Sequence, residues 1–434
     1  MEYKIFGCKV NKYYTDKWLL SDYLKGKDGI FVASCVVTDS AKRKWIKFIK
    51  DVANGLNKNE KIYISGCGAF KEGRAQKDFF EIYPELSEYK GVIEVLGEDP
   101  NPPIPSPFPP REKGNSKNVA SSLPRGETER GISEKLKTLP QLYTKKFVLI
   151  QGGCDSFCTF CLTVIKRGRH FSRTKEDIVS EILEFEKSGG KEVVLTGINL
   201  GAWGLKSTND IGDSRLAELL EYILEKTTIP RIRISSLGPE FVDEACLKIF
   251  ENSRIYPHFH LSIQSGSSSI LKSMSRHYDG EYMRKLLEKF RNIKREDGVD
   301  ISLGADIIVG FPGETEEDFL ETYNLVKDYK ITKLHAFPFS AHDMGESVPA
   351  GKFKNQVPEK TKKDRMDRLL ELGDKVRDEF IASQQGKPLH VLIEVVKSGT
   401  WKGWSENYIE CNETNFKIES GKIGKNEIVT GKLF

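Results

Sequence analysis

No run of eighteen uncharged apolar residues occurs in the chain, so the sequence holds no candidate membrane span. The opening stretch, MEYKIFGCKV, lacks a basic segment followed by a long apolar one, and the expected location is the cytoplasm, with no membrane partner. Neither sign of charge dominates. Sixty-seven basic residues (67) face 63 acidic ones, a formal +4, so any nucleic-acid contact must come from a local patch. Cysteine is scarce as well: eight (8) in 434 residues exclude a secreted disulfide scaffold, and six of them lie in glycine-rich or polar sequence instead of apolar stripes. That placement points to metal ligation. With 38% hydrophobic and 30% charged residues, the chain is long enough for two or three domains.

Short apolar runs alternate with helical patterns over residues 1–98: Tyr3 to Phe6, Gly29 to Ser34 and Lys61 to Ser65. This rhythm predicts a small parallel α/β domain. A cysteine follows each run, Cys8, Cys35 and Cys67, so the three should converge along the carboxyl edge of the sheet. Residues 99–146, including NPPIPSPFPP, have the composition of a proline-rich and charged linker, either a solvated spacer or a basic arm. From 147 to 380, six strand-helix units are expected, with strands beginning near Phe147, Val193, Ile232, His260, Ile307 and Leu334. Six units are too few for a closed eightfold barrel and predict an open partial one. Residues 381–434 turn strand-rich and predict a small β-barrel. Within the central strands, His260 is expected to face the barrel interior and His258 the opposite side. Cys246 and Cys411 fall in apolar patterns and are expected to be core residues.

Just after the first barrel strand stands Cys154-Asp-Ser-Phe-Cys158-Thr-Phe-Cys161, at the end of the barrel where active sites are built. Three thiolates can hold a 4Fe-4S cluster and leave one iron open. A zinc site is the alternative, but it needs a fourth ligand close by, and His170 is poorly placed for that.

This triplet, with Phe160 directly before its last cysteine, resembles the radical S-adenosylmethionine enzymes. The segments Gly7 to Asn11 (GCKVN), Ala33 to Thr38 (ASCVVT) and Ser65 to Cys67, with Asp306 to Glu314 (DIIVGFPGE) in the barrel, are similar to the motifs of the methylthiotransferases within that group. The resemblance implies a radical-generating cluster on Cys154, Cys158 and Cys161, and an auxiliary 4Fe-4S cluster on Cys8, Cys35 and Cys67. It further implies two S-adenosylmethionine molecules, one donating a methyl group to sulfur and one cleaved to a 5'-deoxyadenosyl radical. Phe160, Gly197, Asn199 and Gln264 stand where S-adenosylmethionine would be contacted, although strand-end packing would also account for the last three. The segment Gly403 to Tyr408 (GWSENY) resembles the TRAM domain, a small RNA-binding barrel, and Trp401, Lys402, Trp404 and Tyr408 would form its stacking patch.

Within the family, GCKVN resembles the branch acting on threonylcarbamoyladenosine in tRNA, whereas the prenyladenosine branch usually carries Gln-Met after the cysteine and the branch modifying a ribosomal-protein aspartate carries Pro-Lys. The stretch Arg167 to Arg173 (RGRHFSR) departs from the usual pattern. The expected partners are a tRNA anticodon stem-loop and a flavodoxin- or ferredoxin-like electron donor, with no DNA. The competing classes are a non-catalytic RNA-binding protein stapled by clusters, and a radical enzyme with one cluster only.

Overall fold

In the computed structural model, the described residues are 1–57, 59–69, 78–97, 100, 144–212, 214–342 and 347–434. Most of the expected linker lies outside them. Four parallel strands, β1 (Glu2–Ile5), β2 (Gly29–Ser34), β3 (Lys61–Gly66) and β4 (Ile93–Val95), pair in sequence order. Trp45, Ile49, Tyr83 and Leu86 fill the core on one face of this sheet.

Six parallel strands follow in order around an open curve: β5 (Lys145–Gly152), β7 (Glu192–Gly197), β8 with its continuation β9 (Arg231–Ile234, Ser236–Leu237), β10 (His258–Gln264), β11 (Ser302–Val309) and β12 (Ile331–Pro338). A two-residue strand, β6 (Phe171–Ser172), caps the free edge of β5 in antiparallel sense. Val148, Ile150, Val193, Leu195, Ile232, Ile234, Phe259, Leu261, Ala305 and Ile307 point outward, where helices cover them in one large core. The alternate residues face inward. This is the open partial barrel the strand pattern predicts.

Two insertions occupy the inward side. The first is helix α1 (Lys9–Leu19), which begins immediately after Cys8 and buries Val10, Tyr13 and Tyr14 against Phe147, Leu149 and Val194 on the inner face of β5 and β7. The second comes from the C-terminal sheet, β13 (Pro388–Lys397), β14 (Thr400–Ser405), β15 (Glu410–Asn412), β16 (Phe416–Ser420) and β17 (Ile428–Leu433), ordered 15-14-13-17-16 and antiparallel. This sheet curls around Val391, Ile393, Trp401, Phe416 and Val429 as a small barrel. Arg231 and Arg233 share the buried carboxylate of Glu192 at 2.7 and 3.0 Å, and their remaining N–H groups reach the carbonyls of Trp404, Ser405 and Glu406. Fully buried charge is tolerable only when paired and hydrogen-bonded, and here the pairing docks one barrel on the other.

Three expectations are corrected or settled by this arrangement. His258 and His260 share the inward face, as residues two apart on a strand must, with ring centroids 6.5 Å apart. The aromatics of the terminal sheet do not form one exposed patch: Trp401 is core, while Tyr408 stacks between Trp404 and His258 at the junction with the central barrel. Cys246 and Cys411 are fully buried in separate cores, and burial pushes both thiols up to about 12. Among the described residues, no helix is long and apolar enough to cross a membrane.

The Glu192 triad yields a prediction. Burial alone would raise its carboxyl, but Arg233 and Arg231 outweigh burial and hold it well below the usual range. Glu192→Gln should lower unfolding free energy by about 3–5 kcal/mol in urea titrations at neutral pH. A carboxyl depressed in the folded state contributes above its unfolded pKa and stops contributing as pH falls toward the folded one. The difference between wild type and Glu192→Gln should therefore shrink on acidification.

Candidate active site

Each cysteine of the first triplet sits just past the carboxyl end of its strand: Cys8 caps α1 after β1, Cys35 follows β2 and Cys67 follows β3. They converge. Cys35 Sγ lies 2.9 Å from where a side chain on Gly7 would start, and a left-handed φ of +105° at Gly7 permits this approach. Burial pushes the Cys35 thiol up to about 12, and the neighbouring Cys67 and Cys8 add to the shift. Cys8 is exposed and Cys67 half-buried, so the group opens on one side.

The second triplet occupies the loop after β5. Cys158 is buried, with Cys154 and Cys161 half-buried. Burial and the adjacent Cys158 push the Cys161 thiol up to about 11. Donors surround the sulfurs: the Thr163 amide at 3.3 Å from Cys161, the Ser156 amide at 3.5 Å from Cys154, and the Arg276 guanidinium at 3.4 Å from Cys158. Thiols held neutral by a dry setting, yet ringed by N–H donors, become stable thiolates once a metal replaces the proton. Among the described residues no three cysteine sulfurs lie within 4.8 Å of one another. The Cys154, Cys158 and Cys161 set, three thiols ringed by N–H donors, fits an iron-sulfur cluster that leaves one iron open.

The two triplets meet along one seam. Cys67 and Val36 pack against Phe160, Leu162, Met274 and Phe311. Arg167, in the short helix Thr163–Arg167 that follows Cys161, donates to Cys67 Sγ at 3.0 Å and to Asn11 Oδ1 at 2.7 Å. Asn11 in turn donates to the carbonyls of Phe6 and Ser34, which flank the first two cysteines.

The other expected site residues divide in two. Phe160 lies in this apolar seam, and Gly197 packs against Gln151, whose carbonyl is 3.1 Å from the position a side chain would take. Asn199, two residues past β7, and Gln264, at the end of β10, have side chains that make no hydrogen bond among the described residues. Gln264 also adopts a left-handed φ of +67°, a conformation costly for a residue with a Cβ. His170 is taken up by Gln151 and the Leu205 carbonyl, so it is no fourth ligand.

Three residues take on roles that the sequence reading did not give them. Gln151 is fully buried. It donates to the carbonyls of Gly152 and Gly153 and accepts from the amides of Ile198 and Asn199, tying the cysteine loop to the end of β7. Arg167 falls in the stretch that departs from the usual pattern, but its contact with Cys67, 100 residues away, and that of Arg276 with Cys158, 118 residues away, leave no signal in local spacing.

Inside the barrel, His260 Nε2 donates to Asp306 at 2.9 Å, and His335 Nδ1 lies 3.4 Å from the same oxygen. Burial would raise Asp306, but these imidazoles hold it well below the usual carboxylate range. Lys9 follows Cys8, and burial, then Arg233, Lys145 and Lys12, bring its ammonium down to about 8.

Comparison with known proteins gives this geometry a lineage. Residues 148–326 match the Radical SAM superfamily. The threonylcarbamoyladenosine tRNA methylthiotransferase MtaB of Thermotoga maritima is 34% identical, over 93% of this chain and 89% of that protein. Its Bacillus subtilis namesake is 30% identical, over 98% and 92%. The chain belongs to the radical S-adenosylmethionine methylthiotransferase family. Another relative is the tRNA-2-methylthio-N(6)-dimethylallyladenosine synthase of Clostridioides difficile, 30% identical over 98% of this chain and 84% of that one. Members of this family use an iron-sulfur cluster and S-adenosylmethionine, so this methylthiotransferase is an enzyme of radical chemistry, with no need for a general-base dyad.

Gln151→Leu would leave the Ile198 and Asn199 amides without their buried acceptor, at about 1–3 kcal/mol each. Hydrogen exchange at these two amides should accelerate well beyond that of the neighbouring β7 amides.

Proposed function

We propose that this methylthiotransferase places a methylthio group on carbon-2 of N6-threonylcarbamoyladenosine next to the anticodon of tRNA, using two 4Fe-4S clusters and two S-adenosylmethionine molecules. Cys154, Cys158 and Cys161 would hold the radical-generating cluster, and Cys8, Cys35 and Cys67 the auxiliary one. The observation that carries this reading is the seam itself, in which Arg167 follows one cysteine triplet and hydrogen-bonds the other. When bound there, the first cluster would supply the electron for cleaving S-adenosylmethionine, and the second would supply the sulfur to be methylated. A one-electron donor of flavodoxin or ferredoxin type would serve the first.

The chain's own residues do the positioning. Arg276 and Arg167 donate N–H bonds to Cys158 and Cys67, which favours the thiolate form and raises the potential of whatever those sulfurs hold. Asn199 and Gln264 are assigned to S-adenosylmethionine. Phe160 and Gly197 shape its pocket, the first by closing the apolar seam and the second by letting the chain pass close to Gln151. The target base, from a single-stranded loop, would be splayed into the lumen between the triplets. The C-terminal barrel would hold the RNA outside.

The test is product analysis. Anaerobic enzyme with reductant and S-adenosylmethionine should convert threonylcarbamoyladenosine in an anticodon stem-loop to its 2-methylthio derivative, seen by mass spectrometry of the digested RNA. The same digest from a prenyladenosine stem-loop should stay unmodified. Methylthiolation of the prenylated RNA alone, or of a ribosomal-protein aspartate, would overturn the assignment.

A further inference from the structure

Three neighbouring strands bring two imidazoles and one carboxylate together on the inward face of the central barrel, with no cysteine among them. Asp306 on β11 is the register partner of His335 on β12, and His260 on β10 is paired with Gly304, two residues before Asp306. Residues in that relation share one face. His260 Nε2 and His335 Nδ1 approach the same oxygen of Asp306, at 2.9 and 3.4 Å, while Ser262 Oγ donates to its other oxygen at 3.3 Å. Gly304 lets the His260 ring lie this way, since a Cβ there would stand 2.4 Å from Nδ1. Among the described residues, this is the one trio of His, Cys, Asp or Glu whose ligand atoms all fall within 4.8 Å of one another.

Those two separations are what a single ion imposes. Ligand atoms each about 2.1 Å from a zinc ion lie about 3.0 Å apart at a right angle and about 3.4 Å apart at the tetrahedral angle. The donors are also in the form a metal requires. Burial holds His260 toward neutral imidazole, and although burial opposes the ionised form of Asp306, the imidazoles outweigh it and keep the carboxyl well below its usual range. Arg233, whose charge bears on the adjoining His258, is neutralised by Glu192. Ser262 supplies the outer hydrogen bond that orients a ligating carboxylate. His335 is half exposed, so the trio is open on one side.

We propose that His260, Asp306 and His335 bind a divalent ion of the zinc type, as a further metal centre besides those that the cysteines would hold. Two imidazoles and one carboxylate favour such an ion over calcium or magnesium, which take oxygen ligands. Three protein ligands leave a coordination position open to an oxygen donor, the mark of a reactive centre and not of a closed structural one. As the ion enters, the Nε2 proton of His260 passes to Nδ1 on the same ring, so the imidazole stays neutral and Nε2 turns its lone pair to the metal. This goes beyond the tRNA reading above and is tested apart from it.

The experiment uses the full-length enzyme, reconstituted anaerobically so that its cysteines carry iron. It is dialysed against zinc chloride and then against metal-free buffer, and zinc and iron per chain are counted for wild type, Asp306→Asn and His335→Gln. Wild type should keep about one zinc, and each variant about a tenth of that or less, with iron unchanged. Zinc absent from wild type, or kept equally by both variants, would overturn the proposal. A second measurement needs no substitution. X-ray absorption at the zinc edge of the wild-type protein should show nitrogen and oxygen neighbours only, at about 2.0–2.1 Å. A sulfur neighbour at about 2.3 Å would put the ion on cysteine and overturn the proposal. Neither readout involves RNA or turnover, so a failure of the tRNA reading would leave both results as they stand.

Discussion

Arg167 is the constraint on which the rest of the site depends. Its guanidinium spans from the helix after the second cysteine triplet to Cys67 and Asn11 of the first segment, and Asn11 then ties together the backbone just ahead of Cys8 and Cys35. A lysine could not do this, because the two bonds leave different nitrogens of one planar fork. The apolar seam of Val36, Phe160, Leu162 and Phe311 excludes water around that fork and makes both bonds count for more. Two cysteine triplets far apart in sequence are thereby held together.

The lumen between them is assembled from parts of all three sheets. Helix α1 fills its first side with Val10, Tyr13 and Tyr14. The Glu192 triad anchors the loop of Ser405 and Glu406 at its base, and Tyr408, held at a φ of +68°, presents its ring to His258. Ser302 completes the junction, bonded to His258 and donating to the Asn407 carbonyl. The terminal barrel and the inward face of the central one are thereby joined through packed and hydrogen-bonded groups.

Much of this was legible in the sequence because it rests on local periodicity. The three apolar runs ending in cysteines place Cys8, Cys35 and Cys67 on one sheet edge, and the six barrel strands follow from runs bounded by helical patterns. What was not legible is long-range or hidden inside an ordinary pattern. Tyr13 and Tyr14 look like any amphipathic stripe, and only the fold shows that the stripe is pressed into the neighbouring barrel. Trp401 and Tyr408 share a composition suited to stacking bases, yet one fills a core and the other meets a histidine across a junction. The contacts of Arg167 with Cys67 and of Arg276 with Cys158 join distant segments, so no spacing rule finds them.

The central claim is that two clusters, held by separate triplets, serve one reaction. Its most direct measurement is iron and sulfide per chain after anaerobic reconstitution, in wild type and in two variants with either Cys8, Cys35 and Cys67 or Cys154, Cys158 and Cys161 changed to Ala. The account predicts about eight irons in wild type and about four in each variant. About four in wild type, unchanged when the first triplet is removed, would contradict it.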